Sequence, residues 1–179
     1  MVVTVSSFDE VGLARAARSG DELAFDALVG PLIDPAFKLA VVFLRDPVEA
    51  EDAVQEACLK AWKKLDQLHP GAPLRPWFLS IVANHCRSVR RARWWSEIRM
   101  ASFPDRPNSI AENIESNLDL DRELAKLSVT DRAALFLFFN LDLPMNEIGR
   151  VLRISPQAAK SRVHRAVVKL RLSLAEEES

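Results

Sequence analysis

The feature that most constrains the fold of this chain is the spacing of apolar residues near its C-terminus. Between positions 159 and 170 they recur every three or four residues, at Ala159, Val163, Ala166, Val167 and Leu170. This is the period of one α-helix face, whereas a strand repeats every two residues. We therefore predict an amphipathic helix that has Ser155 as its N-cap and Pro156 in its first turn.

A short helix precedes this one, and the two together have the pattern of a helix-turn-helix. In the stretch EIGRVLRISPQAAKSRVHRA, residues 147–166, Gly149 would let the two helices approach closely. The predicted exposed face of the second helix is polar and basic, with Gln157, Lys160, Ser161, Arg162, His164 and Arg165. A helix of this kind fits the major groove of DNA. The pattern alone allows a repressor, part of a larger transcription machine, or an ordinary solvated basic face.

The rest of the chain is also predicted to be helical. Glycine occurs only five times, tyrosine is absent, and no strand pattern exceeds about four residues. We predict helices over residues 21–32 and 34–44, with Asp34 as the N-cap of the second, and a further helix that opens at Asp46 and Pro47. The fold class is therefore all-α, with two small helical domains joined by a flexible linker.

Charge places the domain boundaries. Residues 85–99 carry five arginines against one glutamate, and residues 146–172 carry seven bases against one acid. Residues 105–123, with six acids and two arginines, separate these two basic blocks. Such blocks indicate two binding modules and a linker, although the net charge is only −1. The predicted boundaries are a first domain over residues 1–95, a linker over 96–119 and a second domain over 120–179.

Residue types that carry catalytic or metal chemistry are scattered. Cys58 and Cys86 lack a metal-ligand spacing, so we expect two reduced thiols and neither a metal nor a cofactor. Without a nucleophile–base pair or a glycine-rich phosphate loop, an enzyme is not expected. No signal peptide and no run of about 18 apolar residues is recognised. We therefore predict a cytoplasmic protein without membrane contact of its own.

Two helices of the first domain have distinctive surfaces. In DPVEAEDAVQEACLKAWKKL, residues 46–65, an acidic patch with an apolar rim suits a basic protein partner, or is simply solvated; its residues are Asp52, Gln55, Glu56 and Leu59. In PWFLSIVANHCRSVRRARWW, residues 76–95, a polar stripe beside aromatic residues suits melted DNA; its residues are Asn84, Arg87, Ser88 and Arg91. Trp94 and Trp95 either cap the bundle or act as a wedge at DNA.

These segments and LSVTDRAALFLFFNLDLPMNEIGRVLRISPQAAKSRVHRAVVKLR resemble, in order and spacing, regions two and four of bacterial sigma factors. The compact size is similar to that of the extracytoplasmic-function subfamily. The resemblance implies a subunit that directs RNA polymerase to promoters and whose acidic helix docks on the clamp of the largest subunit. Its implied partners are core RNA polymerase, promoter DNA and an anti-sigma factor. A stand-alone helix-turn-helix regulator is the alternative.

The resemblance also implies roles for individual residues. Docking on polymerase falls to Asp52, Gln55, Glu56 and Leu59. Reading of the −10 element falls to Arg75, Asn84, Arg87, Ser88 and Arg91. Reading of the −35 element falls to Gln157, Lys160, Ser161, Arg162, His164 and Arg165.

Several positions depart from the family pattern. Ser88 stands where an acid is common, and Arg153 stands where the turn usually has glycine, so Arg153 needs a left-handed backbone or a reshaped turn. The apolar stretch ALFLFFN predicts that Phe138 or Phe139 is exposed and contacts a protein partner.

Overall fold

The computed structural model describes residues 7–69, 71–99 and 118–177, and within these ranges every regular element is helical. The α-helices are α1 (Ser7–Arg18), α2 (Glu22–Leu44), α3 (Pro47–Lys64), α4 (Leu74–Arg99), α5 (Leu118–Lys126), α6 (Val129–Leu135), α7 (Met145–Leu152) and α8 (Pro156–Glu177). A 3₁₀ turn at Leu65–Gln67 follows α3, and a π-helical turn at Phe136–Asn140 follows α6. The all-α prediction is confirmed, and most of the predicted linker lies outside the described residues.

Helix α2 corrects the prediction of two helices over residues 21–32 and 34–44. The helix is continuous from Glu22 to Leu44 and contains both Pro31 and Pro35. Gly30 precedes Pro31 and has no Cβ to collide with the proline ring, which reduces the usual restriction on that position. Asp34 is not an N-cap, since it lies inside the helix and pairs with Lys38 at 2.8 Å.

Helices α1 to α4 form a first bundle around a dense apolar core. Phe78, Leu79, Val82 and Cys86 of α4 are fully buried, and they pack with α2 and α3. Phe25 of α2 meets Trp62 of α3 edge to face, with ring centroids 5.0 Å apart. Burial raises the pKa of the Cys86 thiol to about 12, so this cysteine is a structural core residue.

Local signals begin helix α3 as predicted. The Asp46 carboxylate accepts hydrogen bonds from the backbone N–H groups of Val48 and Glu49, at 2.9 and 3.1 Å. Pro47 occupies the first turn, where its missing N–H costs nothing. Instead of closing a capping box, the Glu49 carboxylate pairs with Arg93 of α4, which joins the start of α3 to the last turns of α4.

Helices α5 to α8 form a second, smaller bundle. The Ser128 hydroxyl caps α6 by accepting from Asp131 N–H at 3.2 Å. The Arg162 guanidinium of α8 donates to Asp131 at 2.9 Å, which joins α6 to α8. Arg132 donates to three backbone carbonyls at the end of α5 (Leu124, Ala125 and Leu127) and so closes that helix end.

The two bundles contact each other through α2 with α6 and α4 with α7. Among the described residues, α2 is also the one helix with the length and apolarity of a membrane span. Nine of its residues are buried, Leu39 and Ala40 fully, whereas Leu23 and Ile33 are exposed, so packing in the core accounts for part of its composition.

Candidate nucleic-acid interface

The exposed face of α3 carries the acidic patch expected from the sequence. Asp52, Gln55 and Glu56 are all exposed, and beside them Leu59 leaves 55% of its surface uncovered. Lys60 forms a loose ion pair with Glu56 at 3.9 Å and lies 2.6 Å from Nδ1 of His85. Burial and the neighbouring Lys60 charge lower the pKa of His85, so its ring is neutral at pH 7. The face combines negative charge with an apolar rim, as a protein interface requires.

The polar stripe of α4 forms as predicted, but it is partly covered. Asn84 and Arg87 are half-buried, whereas Ser88 and Arg91 are exposed. Ser88 donates to the backbone carbonyl of Asn84 at 3.1 Å. Arg75 lies half-buried in the first turn of the same helix. Four of the five predicted −10 residues thus lie on one helix face, and Arg75 sits at the start of that helix.

Arg87 is held by three neighbours. Its guanidinium donates to the Asn84 side-chain oxygen at 2.9 Å and to the Leu152 backbone carbonyl at 3.0 Å, and lies 5.5 Å from the Phe43 ring centroid. Leu152 ends α7, so a cation from the first bundle meets the negative end of a helix in the second. Burial, and then the charge of Arg153, lower the pKa of Arg87. In this arrangement the guanidinium is directed to the helix-turn-helix and away from solvent.

A cavity of about 520 Å³ opens beside the first turns of α4. Its walls include Gln67 and His69 of the preceding loop, Trp77 and Ser80 of α4, and Arg150 of α7. The sequence predicted a polar stripe beside the aromatic residues of this helix, but it contained no signal for Arg150. Residues 80 and 150 are neighbours only because α4 packs on α7.

The turn between α7 and α8 is tight. Arg153 has φ 57° and ψ 46°, so of the two conformations expected for it the chain adopts the left-handed one. A Cβ on Gly149 would lie 2.7 Å from the backbone oxygen of Ile154 and 3.3 Å from the backbone nitrogen of Pro156. Gly149 therefore permits a close approach, but to the backbone of the turn and the first residue of α8 and not between the faces of the two helices as predicted.

The basic face of α8 begins directly after this turn. Ser155 caps the helix as predicted, with its hydroxyl accepting from Ala158 N–H at 3.1 Å. Ala159, Val163 and Ala166 face the core. The residues left exposed are Gln157, Lys160, His164 and Arg165, and Ser161 and Arg162 are half-buried. Arg162 is held within the second bundle by its ion pair with Asp131, so its contact with phosphate stays a prediction.

Three arginines approach one another where α2 and α4 meet α6. Burial, and then the charges of Arg45 and Arg90, lower the pKa of Arg132 to about 10. Next to Arg132 lies an apolar groove of about 410 Å³, lined by Val42 of the first bundle and by residues of the second that include Phe136 and Phe139. Phe139 is 60% exposed, which confirms the prediction of an exposed phenylalanine in this segment.

Comparison with known families matches both bundles. Residues 28–96 match the family described as Sigma-70 region 2, and residues 117–170 match Sigma-70, region 4. The ECF RNA polymerase sigma factor SigL of Mycobacterium tuberculosis is 31% identical over 88% of this chain and 95% of its own length. The RNA polymerase sigma factor NccH of Alcaligenes xylosoxydans xylosoxydans is 29% identical over 94% of this chain and 95% of its own. The chain spans only 42% of a further relative, the probable RNA polymerase sigma factor RfaY of Xanthomonas campestris, at 27% identity over 88% of this chain.

Two solved structures have the same fold. CnrH, determined in complex with the cytosolic domain of CnrY, superposes with a TM-score of 0.69, at 27% identity over 96% of this chain and 99% of CnrH. RpoE of Bartonella quintana, determined with the anti-sigma factor NepR, superposes with a TM-score of 0.72, at 24% identity over 84% of this chain and 96% of RpoE.

Proposed function

The chain belongs to the extracytoplasmic-function sigma factors of bacterial RNA polymerase, and from this premise we propose how its two bundles divide the work. The first bundle, region 2, docks on core polymerase and reads the −10 element. The second bundle, region 4, reads the −35 element as duplex DNA. The observation that carries the proposal is the separation of charge: the acidic face lies on α3, and the basic faces lie on α4 and α8.

Polymerase docking falls to the exposed face of α3. Asp52 and Glu56 supply negative charge for a basic partner surface, Gln55 supplies a hydrogen-bonding amide, and Leu59 supplies the apolar contact. This surface repels DNA, which keeps the docking face distinct from the reading faces.

Reading of the −10 element falls to the stripe and cavity at α4. Arginines neutralise phosphates, while Asn84 and the cavity beside Trp77 receive an unpaired base. Contacts of Arg75, Arg87, Ser88 and Arg91 complete this surface. Because Arg87 is held by Leu152 in the described arrangement, promoter binding requires α4 and α7 to separate.

Reading of the −35 element falls to the first turns of α8. Gln157, Lys160 and Ser161 face base edges in the major groove, and His164 and Arg165 lie one turn further along. Arg162 reaches a phosphate from the flank of the helix. Binding energy alone opens the promoter, so the protein supplies no catalytic chemistry of its own, and it acts in the cytoplasm.

The basic test is run-off transcription with purified core polymerase. The chain should direct initiation from promoters selected from a random DNA library by the reconstituted holoenzyme. Failure of every selected sequence to fire above core polymerase alone would contradict the proposal.

Charge reversal tests the docking face separately. The double variant Asp52→Arg/Glu56→Arg should lose core polymerase binding by at least about tenfold, because like charges would then meet. Asp34→Arg is the matched control, since it reverses an exposed acid on α2 outside the patch. Equal binding by both variants would exclude α3 as the docking surface.

An alanine substitution tests the reading face of α8. Lys160→Ala should weaken binding of holoenzyme to duplex carrying the −35 element, whereas Lys169→Ala, three turns into the same helix, should not. The −10 contacts are unaffected in both variants. On DNA that lacks a −35 element, Lys160→Ala should therefore bind as tightly as wild type.

We also propose control by an anti-sigma factor. CnrH was determined with the cytosolic domain of CnrY, and this chain has an apolar groove at Val42, Phe136 and Phe139 with an arginine rim. An amphipathic helix with acidic residues fits such a groove. Phe139→Ala should weaken the complex with a protein encoded beside this gene while leaving run-off transcription intact in its absence.

A further inference from the structure

His85 of α4 faces α3, beside the docking face but outside it. Its ring is half-buried, and Nδ1 lies 2.6 Å from the Lys60 ammonium of α3. An ammonium group donates hydrogen bonds and has no lone pair with which to accept one, so Nδ1 is the acceptor and the ring proton is on Nε2. The contact therefore requires the neutral form of His85, which is the form present at pH 7.

Lys60 has a second possible partner one turn back on its own helix. Glu56 precedes it by four positions, and a glutamate four residues before a lysine is the favourable order for an ion pair on a helix. Yet the Lys60 nitrogen is 3.9 Å from the Glu56 carboxylate, at the outer limit of an ion pair. Asp34 and Lys38 of α2 have the same spacing and lie 2.8 Å apart. The Lys60 ammonium is thus held closer to His85 than to its natural partner on α3.

The position of this ammonium affects the docking face because Glu56 belongs to it. Asp52 and Glu56 are the two acids proposed to attract a basic partner surface. If Lys60 closed on Glu56, one of these two charges would be neutralised within the chain. A cation of the partner would then have to displace Lys60 before it could pair with Glu56.

We propose that His85 is a positioning residue for polymerase docking, which holds the Lys60 ammonium away from Glu56 and so keeps that carboxylate available to core polymerase. The proposal rests on the docking function proposed for α3. His85 makes no contact with the partner and acts only through Lys60. Its effect should therefore depend on the presence of Lys60 and on a neutral acceptor at position 85.

The same contact should make docking sensitive to pH. Burial, and then the charge of Lys60, lower the pKa of His85, and Glu56 opposes this shift. Among the described residues, no charge of α2 or α7, which also pack on α4, acts on the ring. Its neighbours three and four positions away on α4 are the uncharged Ile81, Val82, Ser88 and Val89. As the pH falls below the ordinary histidine pKa of about 6.5, the ring takes up a proton, loses its acceptor and repels Lys60 toward Glu56.

The test measures the affinity of the full-length chain for core polymerase by fluorescence anisotropy. His85→Ala should bind about two- to threefold more weakly than wild type, the range of an ion pair between positions i and i+4. His85→Asn should keep wild-type affinity, because its amide oxygen replaces Nδ1 as the acceptor. This variant should also lack the extra weakening of wild type below about pH 6.5. In a Lys60→Met background, His85→Ala should have no effect.

Lys38→Met is the matched control for the lysine substitution. It removes a lysine from a pair of the same spacing on α2, outside the docking face, and should bind core polymerase like wild type. If His85→Ala binds like wild type, or if its loss of affinity persists in the Lys60→Met background, His85 does not act through Lys60 and the proposal is overturned.

The docking function itself is judged by Asp52→Arg/Glu56→Arg. If that double variant binds core polymerase as tightly as wild type, the docking face is excluded and the role of His85 falls with it. If the double variant loses binding while His85→Ala does not, the docking face stands and only the role of His85 fails.

Discussion

Gly149 lies at a position where a Cβ atom would collide with the backbone of the turn. Alanine at this position would bring its Cβ to 2.7 Å from the Ile154 backbone oxygen, and a backbone atom cannot rotate away as a side chain can. We predict that Gly149→Ala destabilises region 4 by about 1–3 kcal/mol, the usual cost of overpacking, and lowers −35 binding. Amide hydrogen exchange of peptides from residues 145–170 measures this locally.

Gly12→Ala is the matched control for that substitution. Gly12 lies inside α1, and a Cβ there would meet nothing within 4 Å. Alanine is the better helix former, so this variant should be more stable than wild type by about 0.5–1 kcal/mol. Equal protection of the region 4 peptides in both variants would refute the role of Gly149.

Arg153, unlike Gly149, is a residue type that its own backbone conformation disfavours. An arginine at φ 57° pays a steric cost that glycine avoids. Arg153→Gly should therefore stabilise the helix-turn-helix, by about 0.5–1 kcal/mol once the greater chain entropy of glycine is subtracted. Arg150→Gly, in the helical part of α7, should instead destabilise by about 1 kcal/mol. Chemical unfolding measures the stability of both variants. If both are less stable than wild type, the contacts of the Arg153 side chain stabilise the turn by more than its left-handed backbone destabilises it.

Among the helices, the link between α6 and α8 depends on pH. Burial raises the pKa of Asp131, but hydrogen bonds from Ser128 and Arg162 and the charges of Arg162 and Arg165 outweigh it, so the net shift is downward. A carboxyl with a lowered folded pKa stabilises above its unfolded pKa, and this contribution is lost as pH falls through the folded value. Asp131→Asn should cost about 1 kcal/mol at pH 7, since the pair is only partly exposed, at 31% for Arg162 and 16% for Asp131. The difference from wild type should vanish in acid; a pH-independent difference would exclude the ion pair as its cause.

Helices α2 and α3 show what the sequence predicts and what it does not. The cap at Asp46 and Pro47 acts through neighbours in sequence, so α3 was predicted correctly at its start. Asp34 and Pro35 have the same local signal, yet α2 continues through them, because nine of its residues are buried against the other helices. Leu23 of the same helix is 81% exposed. The residues proposed to read DNA were identifiable by helical spacing, whereas the contacts of Arg87 with Leu152 and of Arg162 with Asp131 depend on packing between elements.

At the scale of the whole molecule, the packed contact between the bundles includes, among the described residues, an electrostatic attraction and several repulsions. Arg87 contacts the negative end of α7 at Leu152, which favours the arrangement in which the two bundles touch, called here the closed arrangement. Arg153 beside Arg87, and Arg45 and Arg90 beside Arg132, oppose it, since each lowers the pKa of its neighbour. Arg87 cannot take the −10 role proposed for it while it is held by Leu152, so we predict that this balance sets how readily region 2 binds a promoter.

The salt concentration should change the balance between the closed arrangement and one in which the bundles separate. The repulsions act between partly exposed guanidinium groups, which ions screen over about 10 Å at 0.1 M. We therefore predict that lower salt opens the molecule, and that its radius of gyration in X-ray scattering rises above the value of about 16 Å for a compact chain of this length.

Arg90→Glu replaces a repulsion at Arg132 with an attraction, so this variant should stay closed at low salt and initiate transcription more slowly. Arg91→Glu carries the same charge change one residue along, about 100° further round α4, where Arg91 is not among the charges that lower the pKa of Arg132, and should open like wild type. A radius that rises with salt, or that is equal in the two variants, would show that the arginine cluster does not govern opening.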